Sequence, residues 1–229
     1  MNVRPIKTRV FKEGENLEAF ITKHVRKIEN GAILAVTSKI VALSEGRVAE
    51  IKAKDAIIRK ESEWAVKAKY VWITKKDGQL MANAGVDASN ANGKLVLLPR
   101  DSFTTARKLQ RQLKKHYKIH RLGVLITDSR VAPLRAGVVG VALGYAGFKG
   151  LRDYRGKKDI FGRKLKFTQT NIADSLATAA ALAMGEGREQ QPLCVIEDAP
   201  VEFVEWVNKK ELRIPFEDDM YAPLFKKKR

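Results

Sequence analysis

The chain has 229 residues, of which 44 are Lys or Arg and 26 are Asp or Glu, so its formal net charge at pH 7 is +18. An apolar fraction of 45% with 31% charged residues is typical of a globular protein and excludes a disordered chain. The single cysteine, Cys194, excludes an intrachain disulfide and a zinc site built from cysteines. No apolar run is long enough to span a bilayer and the first residues contain no apolar signal segment, so we expect a cytoplasmic protein without a membrane partner.

Turn residues and apolar periodicity predict short helices and strands along the chain. In chain order they are a helix at Asn16–Ile28, a strand at Ala32–Val36, a hairpin of Tyr70–Thr74 and Gln79–Asn83, a strand at Lys94–Leu98, a helix from Asp101 or Ser102 to about Tyr117, strands at Leu122–Thr127, Val138–Tyr145 and Lys164–Gln169, a helix at Asp174–Met184, a strand at Leu193–Glu197 and a helix at Val201–Asn208. This irregular alternation favours an α+β fold with a mixed sheet over a doubly wound sheet. We expect a single domain over residues 1–229, with two interleaved subdomains as the alternative.

Three acidic side chains stand beside glycine or hydroxyl residues at the ends of predicted elements. Asp87 lies in the segment Asn83–Asn90, NAGVDASN, whose small residues let the backbone approach a ligand closely. Asp128 follows the buried strand at Leu122–Thr127, and Glu186 stands between two glycines after the alanine-rich helix. Taken singly, each position also fits an ordinary turn or helix cap.

Taken together, Asp87, Asp128, Ser129 and Glu186 offer a set of oxygen ligands without a cluster of histidines or cysteines. Oxygen ligands suit Mg²⁺ or Mn²⁺, and a divalent ion held by carboxylates beside phosphate oxygens is typical of phosphoryl transfer. The chain contains neither a GxxxxGK[ST] nor a GxGxxG motif, so phosphate contacts must come from elsewhere. Ser38-Lys39 follows a predicted strand and offers a hydroxyl, a cation and a helix N-terminus, with an ordinary solvent-exposed lysine as the alternative.

The excess positive charge admits two classes of anionic partner. A basic surface attracts nucleic acid and equally attracts nucleotides and carboxylates. Between Ser102 and Thr127 the chain has seven Lys or Arg residues and no acid, and it ends in the basic run Lys226–Arg229. A solvated helix face and a frayed tail would explain both features without any ligand.

Eight short motifs occur in a characteristic order. They are TSKIV at Thr37–Val41, EGR at Glu45–Arg47, NAGVDASN at Asn83–Asn90, LLPRD at Leu97–Asp101, TDS at Thr127–Ser129, RDYRG at Arg152–Gly156, DIFGR at Asp159–Arg163 and MGEG at Met184–Gly187. This combination resembles the coenzyme F(420)-0:L-glutamate ligase family. The likeness runs from about Val10 to Pro192, and the NAGVDASN string is highly specific.

The resemblance implies an intertwined mixed fold, a homodimer and an enzyme that uses GTP. Such ligases add L-glutamate through a γ-linkage to a deazaflavin coenzyme precursor, coenzyme F(420)-0, by way of an acyl-phosphate. By motif position, the implied ligands of Mg²⁺ or Mn²⁺ are Asp87, Asp128, Ser129 and Glu186, with Asp87 and Asp128 catalytic and K⁺ a further candidate ion. The implied nucleotide-binding residues are Thr8, Arg9, Val10, Phe11, Ser38, Lys39, Asn90, Met184, Gly185 and Gly187. The expected partners are GTP, L-glutamate and an anionic small-molecule acceptor.

The chain also departs from the family pattern at three places. Leu43-Ser44 stands where the family has Lys-Ala, Val131-Ala132 stands where it has Gly-Arg, and Glu197-Asp198 replaces an Arg-Gly pair. The acceptor therefore stays open, and a folate-type γ-glutamyl ligase is one alternative. A basic family member with reduced catalysis that binds nucleotide or nucleic acid is another. The retained acids favour the ligase, because a protein that only binds polyanions gains nothing from clustered carboxylates.

Overall fold

In the computed structural model, which describes residues 1–225, the chain folds around a five-stranded mixed sheet. The strands are β1 (Asn2–Ile6), β2 (Ala32–Thr37), β3 (Val48–Glu50), β4 (Trp64–Lys67), β5 (Trp72–Lys76), β6 (Gln79–Ala82), β7 (Lys94–Val96), β8 (Leu122–Val131), β9 (Val138–Ala146), β10 (Leu151–Asp153), β11 (Gln169–Asn171) and β12 (Leu193–Glu197). The helices are α1 (Leu17–His24), α2 (Ser38–Ser44), α3 (Lys54–Lys60), α4 (Ser102–Tyr117), α5 (Ile172–Met184) and α6 (Ala222–Phe225), with short 3₁₀ helices at Ile51–Ala53, Asn83–Gly85 and Phe216–Asp218.

The main sheet has the strand order β1-β12-β2-β8-β9, in which only β2 and β8 run parallel to each other. Helices α1 and α4 pack on one face, where Leu34 and Ile126 are fully buried, and α5 packs on the other face against Ile33 and Leu125. Because both faces are covered, β2 has the continuous apolar sequence AILAV rather than an alternating one. The expected α+β architecture with a mixed sheet is confirmed.

A smaller unit is inserted between α2 and α4. It comprises the pair β3–β7, the three-stranded sheet β4–β5–β6 and helix α3, and it has a core of its own around Ile58, Val86 and Leu95. Strand β6 packs against β8, which places this unit beside the main sheet. The insertion matters for function because it carries the NAGVDASN segment.

Several predicted elements are confirmed. Asp77-Gly78 turns the hairpin of β5 and β6, the side chain of Asp101 caps α4 by accepting a hydrogen bond from the Thr104 N–H at 2.9 Å, and β12 spans Leu193–Glu197 as expected. Cys194 is fully buried, and burial raises the pKa of its thiol to about 11, as expected of a core residue. The basic run Lys226–Arg229 lies outside the described residues.

Two predicted elements are wrong. Residues Val201–Asn208 form no helix, because their backbone pairs with the turn after β9: the Lys149 N–H donates to the Glu202 carbonyl and the Val204 N–H donates to the Gly147 carbonyl. The predicted strand Lys164–Gln169 is absent, and only its last residue belongs to a strand, β11, because the alternating apolar side chains before it have no layer to cover and Phe167 is 88% exposed. Tertiary pairing decides both segments, and local periodicity does not reveal it.

Two other boundaries differ from the prediction. Helix α1 ends at His24 instead of Ile28, because Val25 and Ile28 enter the core from an extended segment. Strand β8 continues past Asp128 to Val131, so Asp128 lies within the strand rather than after it. In the part of the chain that the structure describes, no helix has the length and apolar composition needed to cross a membrane.

Glu61 ties the smaller unit together through a half-buried ion triad. It accepts a hydrogen bond from Arg47 at 2.7 Å and another from Lys76 on β5, and its side chain is 16% exposed. Burial raises the pKa of Glu61, but the hydrogen bonds from Lys76 and Arg47 outweigh this effect and hold its pKa below the ordinary value. Its contribution to stability is therefore present above pH 4.5, the ordinary pKa, and is lost as the pH falls through the lowered pKa.

We expect Glu61→Gln to lower the free energy of unfolding by about 3 kcal/mol at pH 7, because two poorly solvated cations lose their partner. Urea unfolding measures the loss, and the difference from the wild type should shrink as the pH falls below 4.5. Glu63→Gln is the matched control, since Glu63 pairs with Lys75 at 3.2 Å on the surface and should contribute about 0–1 kcal/mol. Equal losses in the two variants would contradict the assignment.

Candidate active site

The parallel pairing of β2 and β8 brings two of the predicted site segments together. Thr37 lies opposite Thr127 in the register, so the residues that follow, Ser38 and Asp128, are also neighbours. The Ser38 hydroxyl donates a hydrogen bond to Oδ1 of Asp128 at 3.1 Å. Ser38 begins α2, so the expected helix N-terminus next to Lys39 is confirmed.

Asp87 reaches the same place from the inserted unit. Its backbone pairs with that of Val96, the last residue of β7, with N···O distances of 3.0 and 2.8 Å. Oδ2 of Asp87 accepts a hydrogen bond from Lys39 Nζ at 2.7 Å and another from the Ser89 hydroxyl at 2.6 Å. Lys39 Nζ also donates to the Ser89 carbonyl at 2.6 Å. The lysine thereby joins the insertion to the N-terminus of α2.

The third acidic segment closes the arrangement into a ring. The Ser129 hydroxyl donates to Oε1 of Glu186 at 2.5 Å, and the Asn90 side-chain amide donates to the Gly187 carbonyl at 3.2 Å. Following bonds and neighbouring residues, the chain of contacts runs Asp87, Lys39, Ser38, Asp128, Ser129, Glu186, Gly187, Asn90, Ser89 and back to Asp87. We call these nine residues the contact ring.

The 3₁₀ turn Asn83–Gly85 fixes the approach of the insertion to this ring. Asn83, Ala84 and Gly85 all have positive φ, at 54°, 53° and 72°. The turn is anchored to β5, because the Trp72 N–H donates to the Asn83 side chain at 2.9 Å and the Ala84 N–H donates to the Thr74 hydroxyl at 2.8 Å. Asp87 follows Gly85 after a single residue, so this strained turn determines where the Asp87 carboxylate lies.

We expect Gly85→Ala to destabilise the chain by about 2–3 kcal/mol, because a Cβ there would lie 2.4 Å from Leu98 Cγ in addition to the positive φ. Gly93→Ala is the control: its φ is +77° but a Cβ would meet nothing within 4 Å, so about 1 kcal/mol is expected. Urea unfolding separates the two costs. Equal losses would mean that Leu98 does not confine the turn.

The two carboxylates at the centre of the ring titrate differently. Burial raises the pKa of Asp128, and this effect outweighs the neighbouring charge of Arg130 and the hydrogen bonds from Ser129 and Ser38, which lower it; the charge of Asp87 adds a smaller rise. Burial also raises the pKa of Asp87, but hydrogen bonds from Lys39 and Ser89 outweigh it and hold that pKa below its ordinary value. A buried carboxylate destabilised by a second negative charge is stabilised by a bound cation.

The donor set fits Mg²⁺ or Mn²⁺ in chemistry, because carboxylate and hydroxyl oxygens are the ligands these ions prefer. Within residues 1–225, however, no three His, Cys, Asp or Glu side chains are grouped so that they could hold a metal ion. Asp87 is engaged by Lys39, and Glu186 is engaged by Ser129. The four predicted ligands thus lie in one contact ring, in which Ser129 and Glu186 are bonded to each other, Asp87 to Lys39 and Asp128 to Ser38.

The predicted N-terminal nucleotide segment lies against the loop that carries Glu186. The backbone N–H of Thr8 donates to the Gln190 carbonyl at 2.9 Å. The Arg9 guanidinium pairs with Glu15, with N···O distances of 2.6 and 2.9 Å, and Val10 is 66% exposed. The side chain of Phe11 is buried against Phe20 in an edge-to-face contact of 4.8 Å between ring centroids. Only the backbone of Phe11 is therefore placed to contact a ligand.

The segment after α5 is shaped by its glycines. Met184, the last residue of α5, has its side chain buried in the core. Gly185 ends the helix with a φ of +80°. Glu189 accepts a hydrogen bond from the Gly187 N–H at 2.8 Å and fills the space where a Cβ on Gly185 would lie. Sequence reasoning missed Glu189, and also Ser89, whose position two residues after Asp87 is the spacing of a side-chain–backbone turn.

Comparison with known proteins finds one family model and several relatives that match most of the chain. The sequence model of the family described as F420-0:Gamma-glutamyl ligase matches residues 5–56 and 52–198. The chain is 34% identical over 208 residues to the Coenzyme F420:L-glutamate ligase of Archaeoglobus fulgidus, covering 82% of this chain and 83% of the relative. It is 34% identical over 235 residues to the protein of the same name from Methanocaldococcus jannaschii, covering 93% of each chain. For the Methanopyrus kandleri protein of that name, identity is 33% over 231 residues, covering 91% of this chain and 90% of the relative.

The family that matches this chain is a family of ligases. The chain is a member of the F420-0:gamma-glutamyl ligase family.

Proposed function

We propose that this chain is a metal- and GTP-dependent ligase that joins L-glutamate, by a γ-linked amide, to a carboxylate-ended acceptor, coenzyme F(420)-0 or a related molecule. The observation that supports this most is the contact ring, in which residues from four separate segments meet around the half-buried Asp128. The pKa of Asp128 is raised although Arg130 lies nearby, so its ionised form is unfavourable unless a further cation or a proton compensates it, and structural stability alone does not account for the arrangement.

The ring supplies the groups that the reaction needs. Asp128 and Asp87, with Ser129 and Glu186, would hold Mg²⁺ or Mn²⁺, which when bound neutralises charge on the nucleotide phosphates; K⁺ is a further candidate. Lys39 and the backbone at Ser38, the first residue of α2, would bind phosphate oxygens. Asn90, the backbone of residues 8–11 and that of residues 184–187 would contact the rest of the nucleotide.

The proposed reaction has two steps. An oxygen of the acceptor carboxylate attacks the γ-phosphorus of GTP, the bond to GDP breaks, and an acyl-phosphate forms. The amine of L-glutamate then attacks the acyl carbon, phosphate leaves, the amine loses a proton, and the amide bond remains. Lys39 would stabilise the charge that develops on the transferred phosphoryl group, since its ammonium already lies among oxygen atoms of the ring.

The direct test is to incubate the purified chain with GTP, Mg²⁺ or Mn²⁺, L-glutamate and F(420)-0 and to identify the product by mass spectrometry. We expect a glutamate adduct and an equal amount of phosphate, both lost when any one component is omitted. A folate acceptor and ATP, tested in parallel, decide the alternatives that the sequence leaves open. The absence of adduct and of phosphate with every acceptor would contradict the proposal.

We also propose a homodimer. One face of the β4–β5–β6 sheet carries Trp64, Val66, Ile73 and Leu80, which are between 42% and 46% exposed. Such an apolar face on a small sheet is favourable only when covered, and a second copy of the chain would cover it. Analytical ultracentrifugation of the wild type and of Val66→Lys should show a dimer and a monomer, respectively; two monomers would contradict the proposal.

A second candidate function is binding of single-stranded nucleic acid along α4. Arg107, Lys108 and Arg111 line a cleft of about 410 Å³, and the Arg107 guanidinium stacks 3.4 Å from the ring centroid of Trp206, which is 64% exposed. An exposed aromatic ring beside a row of cations can stack a base while the cations contact phosphates.

The test is fluorescence anisotropy of a labelled oligonucleotide at several salt concentrations. Arg107→Gln/Arg111→Gln should weaken binding and reduce its salt dependence, whereas Lys164→Gln/Lys166→Gln, which removes equal charge from an exposed loop, should do so less. Equal effects of the two double variants would mean that α4 is only a solvated basic face.

A further inference from the structure

Arg130 is a buried cation whose hydrogen bonds are incomplete. It lies on β8 two residues after Asp128, so both side chains project from the same face of the strand. Its Nη1 donates to Oε1 of Gln79 on β6, but Nε and Nη2 are buried and have no hydrogen-bond partner in the described part of the chain. The acidic groups whose charges act on Arg130 are Asp128, Asp174 and Asp77, and none of these three forms an ion pair with it among the described residues.

The positions of the two unpartnered nitrogens indicate what is missing. Nε and Nη2 form the edge of the guanidinium whose N–H bonds point in parallel, and this edge binds two oxygens of one planar or tetrahedral oxyanion. The third nitrogen is held by Gln79, which fixes the rotation of the guanidinium. A residue that only filled space would not need a guanidinium held in one orientation. Leaving two of its buried N–H groups without acceptors is strongly unfavourable.

We propose that Arg130, oriented by Gln79, forms a subsite for an oxyanion, a carboxylate or phosphate group of a substrate, beside Asp128. The subsite rests on the proposed ligase function for the identity of those substrates, which carry both kinds of group. Both nitrogens are buried in this arrangement, so the oxyanion reaches them when the contact between Arg130 and Gln79 on β6 shifts. Binding of the anion then supplies the acceptors that the closed arrangement lacks.

The test compares the full-length wild type with Arg130→Met, which keeps the length of the side chain and removes the buried charge. Without ligand, we expect the variant to unfold at the same temperature as the wild type or at a higher one, because a cation with two buried, unpartnered nitrogens is lost. Calorimetric titration with GTP, L-glutamate, the acceptor and inorganic phosphate, each alone, should show at least a tenfold loss of affinity for one substrate. That substrate is the one whose oxyanion occupies the subsite.

Two controls separate this inference from the proposed function. Arg26→Met, on the exposed connection between α1 and β2, should leave every affinity unchanged. Arg130→Lys should restore the affinity only in part, because an ammonium cannot make the paired contact. Unchanged affinities in Arg130→Met, or a clearly lower unfolding temperature without ligand, would overturn the subsite while leaving the ligase proposal intact. A wild type that binds none of the four anions would overturn both.

Discussion

Asp128→Asn is expected to reduce the rate of ligation by about 10²–10³-fold while leaving the fold intact. The substitution keeps the size of the side chain and its hydrogen bond from Ser38, 3.1 Å long in the wild type, but removes the negative charge at the centre of the contact ring. Because burial and Asp87 already destabilise that charge, the variant should be at least as stable as the wild type in the absence of metal. Loss of activity together with retained stability is the result typical of a metal ligand.

The rate is measured as phosphate release and as glutamate adduct, and the stability is measured by thermal unfolding. Asp198→Asn is the matched control, since it makes the same chemical change at an exposed position with positive φ that asparagine accepts. The control should keep its activity within about twofold. An Asp128→Asn variant that retains full activity would show that the divalent ion is bound by residues other than Asp128.

Lys39→Gln should raise the KM for the nucleotide by about 10–10²-fold, because a charge-assisted hydrogen bond to phosphate contributes about 1.5–3 kcal/mol. In the structure the ammonium bridges Asp87 and the Ser89 carbonyl at 2.7 and 2.6 Å, so it stands where phosphate oxygens and the carboxylates of the ring would meet. The variant should bind Mn²⁺ at least as tightly as the wild type, since the lysine no longer competes with the ion for the carboxylate of Asp87.

The control for Lys39→Gln is Lys94→Gln, which also breaks an ion pair of 2.7 Å but on the surface, between Lys94 and Glu13. Initial rates at varied GTP, together with Mn²⁺ titration, give the two readouts. A raised KM with no change in the control supports direct contact between Lys39 and the nucleotide. An unchanged KM for Lys39→Gln would restrict the lysine to holding Asp87 in place.

The position of Asp128 next to Ser38 could be anticipated from the sequence only in part. A buried apolar run followed by Thr-Ser-Lys and another followed by Thr-Asp-Ser predict two strands with polar residues at their ends, and β2 and β8 are those strands. Their parallel pairing in register, which brings the side chains together, depends on the helices packed on both faces. The Asp-Gly hairpin and the Asp101 cap were predictable because their signals are local.

The contacts that close the ring were less predictable. Ser129 and Glu186 are separated by 57 residues, and Asn90 and Gly187 by 97, so their meeting depends on how α5 and the insertion pack against the sheet. The sequence gives no indication of Arg130 beyond its spacing from Asp128. The feature that marks it, two buried nitrogens without hydrogen-bond partners, is visible only in the structure. The missing family lysine at Leu43 has a structural reason, since that side chain packs partly buried against the main core.

The most direct test of the central claim is to follow an oxygen atom during one turnover. The acceptor is prepared with ¹⁸O in its terminal carboxylate and incubated with the chain, GTP, Mn²⁺ and L-glutamate. The mass of the released phosphate is then measured by mass spectrometry. Ligation through an acyl-phosphate predicts that one ¹⁸O atom passes from the acceptor into each phosphate. Glutamate adduct accompanied by unlabelled phosphate would contradict the account.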